Sequence, residues 1–412
     1  MMRDADILIV GGGLNGPLLS LALARAGLSS VVVDALGAEP RARADFDGRA
    51  YALALASVRM LGALGLWEGL ADRAQPILKV VAADGRPGEA PSAWMLALDH
   101  AEIEEGPLGQ MLEDRHLRRT LLQAMAGTGG VTHLPGAEVV TQAVAPGGVE
   151  LGLADGRRLR GRVLVGCDGR ASGTARRAGI RRIGWSYGQT ALVCALEHAR
   201  PHGGVARQLF LPAGPLAVLP LPEGRSSIVW TEAAAVAEGI ARLDDAGYLA
   251  ALRLRLGPGL GEALGEMRLA GGRWAYPLGL SLAQEFVAER VALVGDAAHG
   301  IHPIAGQGLN LGLRDIAALA EVLAEAARRG EDIAAAPVLA RYQQWRRFDT
   351  VAMALATDGF NRLFSNDNAL VRGVRDLGMA AAGAVPGLRR FFIREAAGLT
   401  GEVPRLLRGR AL

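Results

Sequence analysis

Three stretches of the 412-residue chain combine glycines with a carboxylate at the end of an apolar run. The first, "DILIVGGGLNGPLLSLALARAGLSSVVVDA", holds Gly11-x-Gly13-x-x-Gly16 and ends on Asp34. Glycines at this spacing let a chain turn tightly. They also let a pyrophosphate approach a helix N-terminus, where unpaired N–H groups and the helix dipole favour anions. Asp34 is placed to accept hydrogen bonds from an adenosine ribose. The expectation is dinucleotide binding, with no choice yet between FAD and NAD. The second stretch, "VLVGCDGRASGTARRAGI", runs into Asp168 and Gly169 and suits a phosphate or pyridine nucleotide, or a plain turn.

The third stretch is "VALVGDAAHGIHPIAGQGLNLGLRD". An apolar run ends in Gly295-Asp296. A loop with Pro303, Gly306 and Gly308 follows, then an apolar segment from Leu309. Asp296 at a strand end can bond a ribitol hydroxyl. The N–H groups of Leu309 and Asn310, opening a helix, can stabilise negative charge on a reduced flavin ring. His299-x-x-His302 lies inside this loop with no third ligand type completing it, so no metal site is expected.

Composition narrows the chemistry. A net charge of +3 gives no nucleic-acid signal. There is no P-loop, and Lys79 is the one lysine. Cys167 and Cys194 support neither a disulfide framework nor a zinc site, and fit a reducing compartment. No secretory signal or membrane span is read at the N-terminus, so a cytoplasmic protein is expected.

The elements that must position these residues follow from the pattern. Strand Asp6–Val10, helix Pro17–Ala26 and strand Val31–Asp34 form a βαβ unit. Helical patterns cover Ala52–Leu64 and Asp114–Ala126. Strand-like runs cover Glu138–Ala143, Val149–Leu153 and Arg162–Gly166, with a hairpin turn at Ala154–Gly156. From Gly184 to Pro277 the texture is antiparallel strands joined by Pro/Gly turns, an inserted sheet-rich domain. After Ala340 the pattern is helical. The expected class is α/β: a discontinuous Rossmann-like domain over 1–75, 103–182 and 272–340, a substrate domain over 76–102 and 183–271, and a helical segment over 341–412.

The three motifs, in this order and spacing, resemble the flavoprotein aromatic hydroxylases of the para-hydroxybenzoate hydroxylase type. Asp47-x-Arg49-x-x-Ala52-Leu53 is a fourth match, and implies that Arg49 lies near the FAD diphosphate. Within that family, "PLGQMLEDRHLRRTLL" resembles the ubiquinone-biosynthesis hydroxylases of the UbiH/UbiF group, with Asp114 where the group carries Asn; Arg115 is a cofactor-contact candidate on this match. The stretches 274–315 and 357–398 also resemble that group. The resemblance implies FAD, NADH or NADPH as electron donor, O₂, and ring hydroxylation of a prenylated phenol through a C4a-hydroperoxyflavin. Pro303 is then expected to shape the loop at the flavin's reacting face, with Gly308 beside it. A non-catalytic FAD-binding subunit of a quinone-biosynthesis assembly, and an epoxidase or other flavin monooxygenase on another apolar substrate, stay open. A tryptophan halogenase does not fit, since its W-x-W-x-I-P motif is absent.

The segment from Arg341 carries twelve arginines against six carboxylates, a net +6. Phe360, Leu363 and Phe364 fall at i, i+3 and i+4, and Arg389, Arg390 and Arg394 adjoin Phe391, Phe392 and Ile393. This segment is expected either to dock peripherally on the inner membrane or a partner assembly, or to pack onto the flavin domain.

Overall fold

The apolar run Ile7–Val10 is buried along its whole length. In the computed structural model, which describes residues 3–41, 43–145, 147–366 and 369–412, it lies inside a six-stranded sheet. Ser30–Asp34 pairs on one side of it and Val163–Gly166 on the other, both parallel. Val291–Leu293 continues the sheet in parallel beyond Val163–Gly166. Strands buried on both faces read as unbroken apolar runs, as these do. Strand order reverses at Ile7–Val10, so a crevice forms beyond the carboxyl ends of the strands. Gly11, Asp168 and Asp296 each follow one of three adjacent parallel strands. That shared direction brings three motifs, far apart in sequence, to one edge.

The helix Asn15–Arg25 packs against this sheet, and Gln307–Arg328 packs against Asn15–Arg25; both are largely buried. The Arg158–Gly161, Gly148–Leu153 and Val139–Ala145 strands make a small antiparallel sheet.

A second, eight-stranded sheet runs from His299–Gly300 through Met267–Ala283, Arg182–His198, Arg225–Ala233, Gly214–Leu221 and Val205–Leu211 to Lys79–Asp84 and Met95–Asp99. One face packs on the helices Ala234–Ala241 and Asp245–Leu264. Those two helices depart from the all-strand texture read over 184–277. Gly257 and Pro258 hide the second helix. It bends at Gly257, where φ is 68° and a Cβ would strike the Glu89 carbonyl.

The helix expected over Ala52–Leu64 is also corrected. Ala50–Ala54 is a strand, paired with Gly109–Glu113, and the helix runs Leu55–Ala63. "AYALALASVRM" satisfies both periods, and pairing with a distant strand decides.

The C-terminal segment is helical over Ala336–Phe364, Ala369–Ala384 and Pro386–Ala396. Its two aromatic clusters divide between core and surface. Phe364 is buried, 4.1 Å between ring centroids from Phe210, while Phe360 and Leu363 point outward. Ile393 is buried and Phe392 packs beside it.

Candidate flavin site

The first motif turns between Ile7–Val10 and the helix Asn15–Arg25. Gly11 has φ 113°, and a Cβ there would collide with the Cys167 carbonyl; one on Gly16 would collide with the Gly11 carbonyl. Both glycines are filled in by the protein itself. Gly13 differs: a Cβ there meets nothing within 4 Å. The helix opens at this point without a side-chain cap. Space on the outer side of the turn, beside the uncapped N-terminus, fits an FAD pyrophosphate. Asp34 is buried at the end of the second strand, accepts from the Leu36 N–H at 3.1 Å, and packs against Gly12. Asn15, which sequence reasoning passed over, lies between Gly295 and Gly312. Its buried Oδ1 has no hydrogen-bond partner. It therefore joins the first motif to the third.

Asp168 organises its own loop. Its carboxylate accepts from Ser172 Oγ (2.5 Å), Thr174 N (2.9 Å) and Thr174 Oγ1 (2.9 Å). From the same loop Arg170 reaches across, its Nε 3.8 Å from the half-exposed Asp296 carboxylate. Arg182 donates to the Asp296 and Ala297 carbonyls. Nothing in the spacing of Arg170 or Arg182 marks them in advance, because both contacts depend on the sheet edges meeting.

Pro303 precedes the turn, and Gly306, at φ 65°, packs on Ala52. The Asn310 side chain braces this loop against the 50–54 strand. It accepts from Ala54 N and Ser57 Oγ, each at 2.8 Å, and donates to the Ala52 carbonyl (2.8 Å) and the Gly306 carbonyl (3.1 Å). The helix begins at Gln307 after Gly306. Helix geometry therefore leaves the N–H groups of Gly308 and Leu309 without an intrahelical acceptor, while the Asn310 N–H is the first that the Gly306 carbonyl can take.

Arg49 donates to Asp47 (2.9 and 2.6 Å), lies 3.5 Å from Asp114, and stacks over Trp274 at 5.0 Å. Burial opposes its charge, but Asp47 and Asp114 more than offset that and raise its pKa. Asp114 also accepts from Tyr51 (2.9 Å) and Arg118 (2.7 Å). Arg115 donates to Glu113 (2.7 Å) and to the Ala44 carbonyl (3.1 Å). Both guanidiniums are thus held by neighbouring carboxylates.

The two loop histidines face different surroundings. His299 Nε2 lies 2.5 Å from Asp315. His302 is buried with neither ring nitrogen partnered, 5.4 Å from the Tyr187 ring. Burial, with Arg170 adding to it, pulls its pKa down to about 4. Among the described residues no group of three or more His, Cys, Asp or Glu could hold a metal.

A dinucleotide turn, a Gly-Asp loop and a helix N-terminus at one sheet edge, joined to the second sheet through His299–Gly300, define a dinucleotide-binding protein of the flavoprotein type. Residues 4–356 match the protein family described as FAD binding domain. The chain is 45% identical over 411 residues to the ubiquinone hydroxylase UbiL of Rhodospirillum rubrum, covering 99% of this chain and 93% of that one. It is 35% identical over 403 residues to 3-demethoxyubiquinol 3-hydroxylase of Escherichia coli K12, covering 96% and 99%. The structure of p-nitrophenol 4-monooxygenase PnpA from Pseudomonas putida DLL-E4 superposes with a TM-score of 0.79 over 98% of this chain and all of that one; at 21% identity it speaks for the fold alone. The chain belongs to the FAD-binding-domain family of flavoprotein monooxygenases, in its ubiquinone-biosynthesis hydroxylase branch.

Proposed function

We propose that this protein hydroxylates the aromatic ring of a prenylated phenol in ubiquinone biosynthesis, using FAD, O₂ and NADH or NADPH. The observation that carries the reading is the 45% identity, along nearly its whole length, to a ubiquinone hydroxylase. Convergence of the three motifs on one sheet edge supports it.

In this reading the Gly11–Gly16 turn and the helix behind it hold the FAD pyrophosphate, and Asp34 binds the adenosine ribose. Asp296 holds the ribityl chain. Arg49 and Arg115 supply positive charge at the diphosphate side, and Asp168 keeps the neighbouring loop in place. Bound FAD supplies electron transfer and oxygen activation. The N–H groups of Gly308 and Leu309, at a helix N-terminus, stabilise negative charge placed before them. Pro303 and the Asn310 brace fix that loop, and the roofing sheet excludes water. Domain limits at 76–102 and 183–271, and contact of 341–412 with a membrane or partner assembly, belong to the same reading. Among the described residues no helix is long and apolar enough to cross a membrane.

The test is NAD(P)H oxidation by the FAD-loaded protein with a prenylated phenol, and product analysis by mass spectrometry. A hydroxylated product supports the reading. Tight FAD binding with no turnover of any prenylated phenol favours the non-catalytic subunit instead.

A further inference from the structure

The long helix that opens at Gln307 carries two polar side chains one turn apart, Asn310 and Arg314. That spacing puts them on the same face, about 6 Å apart along the axis. Both act on the first turn of the helix Leu55–Ala63, one directly and one through a third segment.

The shorter helix opens without a side-chain cap. Its first N–H groups are satisfied from distant parts of the chain. The Ala54 N–H donates to Asn310 Oδ1 at 2.8 Å. The Ala56 N–H donates to the Ala397 carbonyl at 3.0 Å. Ala397 begins a strap that leaves the helix Pro386–Ala396 and crosses this turn closely. A Cβ on Gly398 would lie 3.1 Å from the Ala56 Cβ. Arg314 grips the strap from the long helix: its Nη2 donates to the Gly398 carbonyl at 2.9 Å and to the Thr400 carbonyl at 3.3 Å. Further along the same helix, Glu321 accepts the Arg405 N–H at 2.7 Å.

The Arg314 side chain is only 16% exposed, and its partner Asp349, at 3.7 Å, is held more closely by Arg346, at 2.9 Å. A buried guanidinium must be hydrogen-bonded. Here the strap carbonyls, not a tight ion pair, meet that need.

A helix held at one point pivots about it, whereas a helix held at two points keeps its direction. Pivoting would move the N-terminus, where the N–H groups of Gly308 and Leu309 have no intrahelical acceptor. We infer that Arg314 is a positioning residue for the flavin: through the strap at 397–400 it fixes the direction of the long helix, and with it the aim of those two N–H groups. This rests on the reading above that sets them before the flavin ring. Donors aimed at a fixed point stabilise the charge that appears there, and that stabilisation falls steeply as they turn away. Misaim therefore weakens binding of the reduced, negatively charged flavin more than that of the neutral oxidised one.

The experiment measures the flavin midpoint potential of the FAD-loaded full-length protein, with FAD affinity and thermal melting on the same samples. Arg314→Leu removes the grip on the strap, and Asn310→Ala removes the direct attachment. Each is expected to weaken reduced FAD about tenfold more than oxidised FAD, which lowers the two-electron potential by about 30 mV. Arg314→Lys keeps a charge and donors and should recover about half of the shift. Gly398→Ala presses the strap away from Ala56 without touching the arginine. It should move the potential in the same direction, and it carries the test if Arg314→Leu folds poorly. A merely structural arginine gives another result: a lower melting temperature, equal loss of affinity for both redox states and an unchanged potential. That result, beside a shift in Asn310→Ala, overturns the role of Arg314 and leaves the flavin reading standing. If neither variant moves the potential, the two N–H groups do not face the flavin ring, and that part of the reading falls together with the inference.

Discussion

The carboxylate of Asp315 lies 2.5 Å from Nε2 of His299, fully buried behind the Gly295–Asp296 turn. The same Oδ2 accepts the Gly295 main-chain N–H at 3.0 Å, and Oδ1 accepts from Arg346 Nε at 3.0 Å. One side chain of the long helix thus fixes the turn from which Asp296 projects. Burial alone would raise the Asp315 pKa; His299, Arg346 and the Gly295 N–H reverse this and hold it below the usual carboxylate range.

Asp315→Asn is therefore expected to destabilise the protein by about 3 kcal/mol, because the buried Arg346 loses one of its two carboxylate partners and the buried contacts of His299 and the Gly295 N–H are weakened. Chemical denaturation at neutral pH measures it. A carboxylate with a depressed pKa contributes fully above its unfolded pKa and loses that contribution as pH falls through the folded value. The gap between wild type and variant should narrow in acid. Equal denaturation midpoints at pH 7 would remove Asp315 from this role.

His302 sets a second pH dependence. Its pKa is about 4 in the fold, against 6.5 for a free imidazole. Below pH 6.5 the unfolded chain takes up a proton that the folded one refuses, so stability falls as pH drops from 6.5 towards 4. The loss approaches about 3 kcal/mol, at roughly 1.4 kcal/mol per unit. His302→Phe should lack this segment of the pH profile. A variant profile that parallels the wild type between pH 4 and 6.5 excludes His302 as its source.

The motif glycines separate folding from binding. A Cβ on Gly16 collides with the Gly11 carbonyl, and a Cβ on Gly13 meets no protein atom within 4 Å. Gly16→Val is expected to impair folding. Gly13→Val should fold and melt near the wild-type temperature but lose FAD, whereas Gly37→Val, in a loop beyond the second strand, should keep it. Flavin absorbance and thermal melts on the same samples decide. Full flavin content in Gly13→Val would show that the pyrophosphate does not pass there.

These glycines were legible in the sequence because each answers a constraint within one βαβ unit. Asp34 and Asp296 were legible for the same reason, each ending an apolar run. Asp315 was not: its partners His299 and Arg346 come from separate elements, and only the packing of two helices behind the turn makes it a hub. The Asn310 side chain carries no sequence signal either, because its four contacts span the loop and residues 52–57.

Asp296→Ala tests the ribityl contact. The carboxylate is half exposed and its pairing with Arg170, at 3.8 Å, is loose. Surface pairs of this kind contribute between about 0 and 1 kcal/mol, so the melting temperature of the FAD-free protein should barely move. FAD affinity should fall by roughly 1.5–3 kcal/mol, about ten- to a hundredfold, through loss of a charge-assisted hydrogen bond. Unchanged affinity in a titration of the FAD-free protein would place the ribityl chain elsewhere.

The last prediction concerns docking by the C-terminal segment. Two of its three arginines near Phe391 are already committed: Arg389 pairs with Glu102 at 2.9 Å and Arg394 with Glu105 at 2.6 Å. Arg390 is exposed beside them. Gly383 lies against the Met95 carbonyl, which brings Trp94 and Met95 next to Val385, Leu388 and Phe391. All five point outward, with Trp94 58% and Phe391 54% exposed. An apolar surface with a basic residue at its side, in a segment of net +6, complements an anionic bilayer, where a prenylated substrate partitions. Burying each large side chain contributes about 1.5–3 kcal/mol, and an arginine near the surface about 1 kcal/mol. The FAD-loaded protein is therefore expected to float with anionic vesicles at low salt. Trp94→Ser combined with Phe391→Ser should abolish flotation, and Arg390→Gln should weaken it about fivefold on anionic vesicles without affecting neutral ones. Arg389→Gln and Arg394→Gln should act mainly on stability, since each breaks an ion pair with a glutamate. A wild type that stays unbound at low salt, or a double variant that floats as well as the wild type, shows that this surface does not meet the membrane.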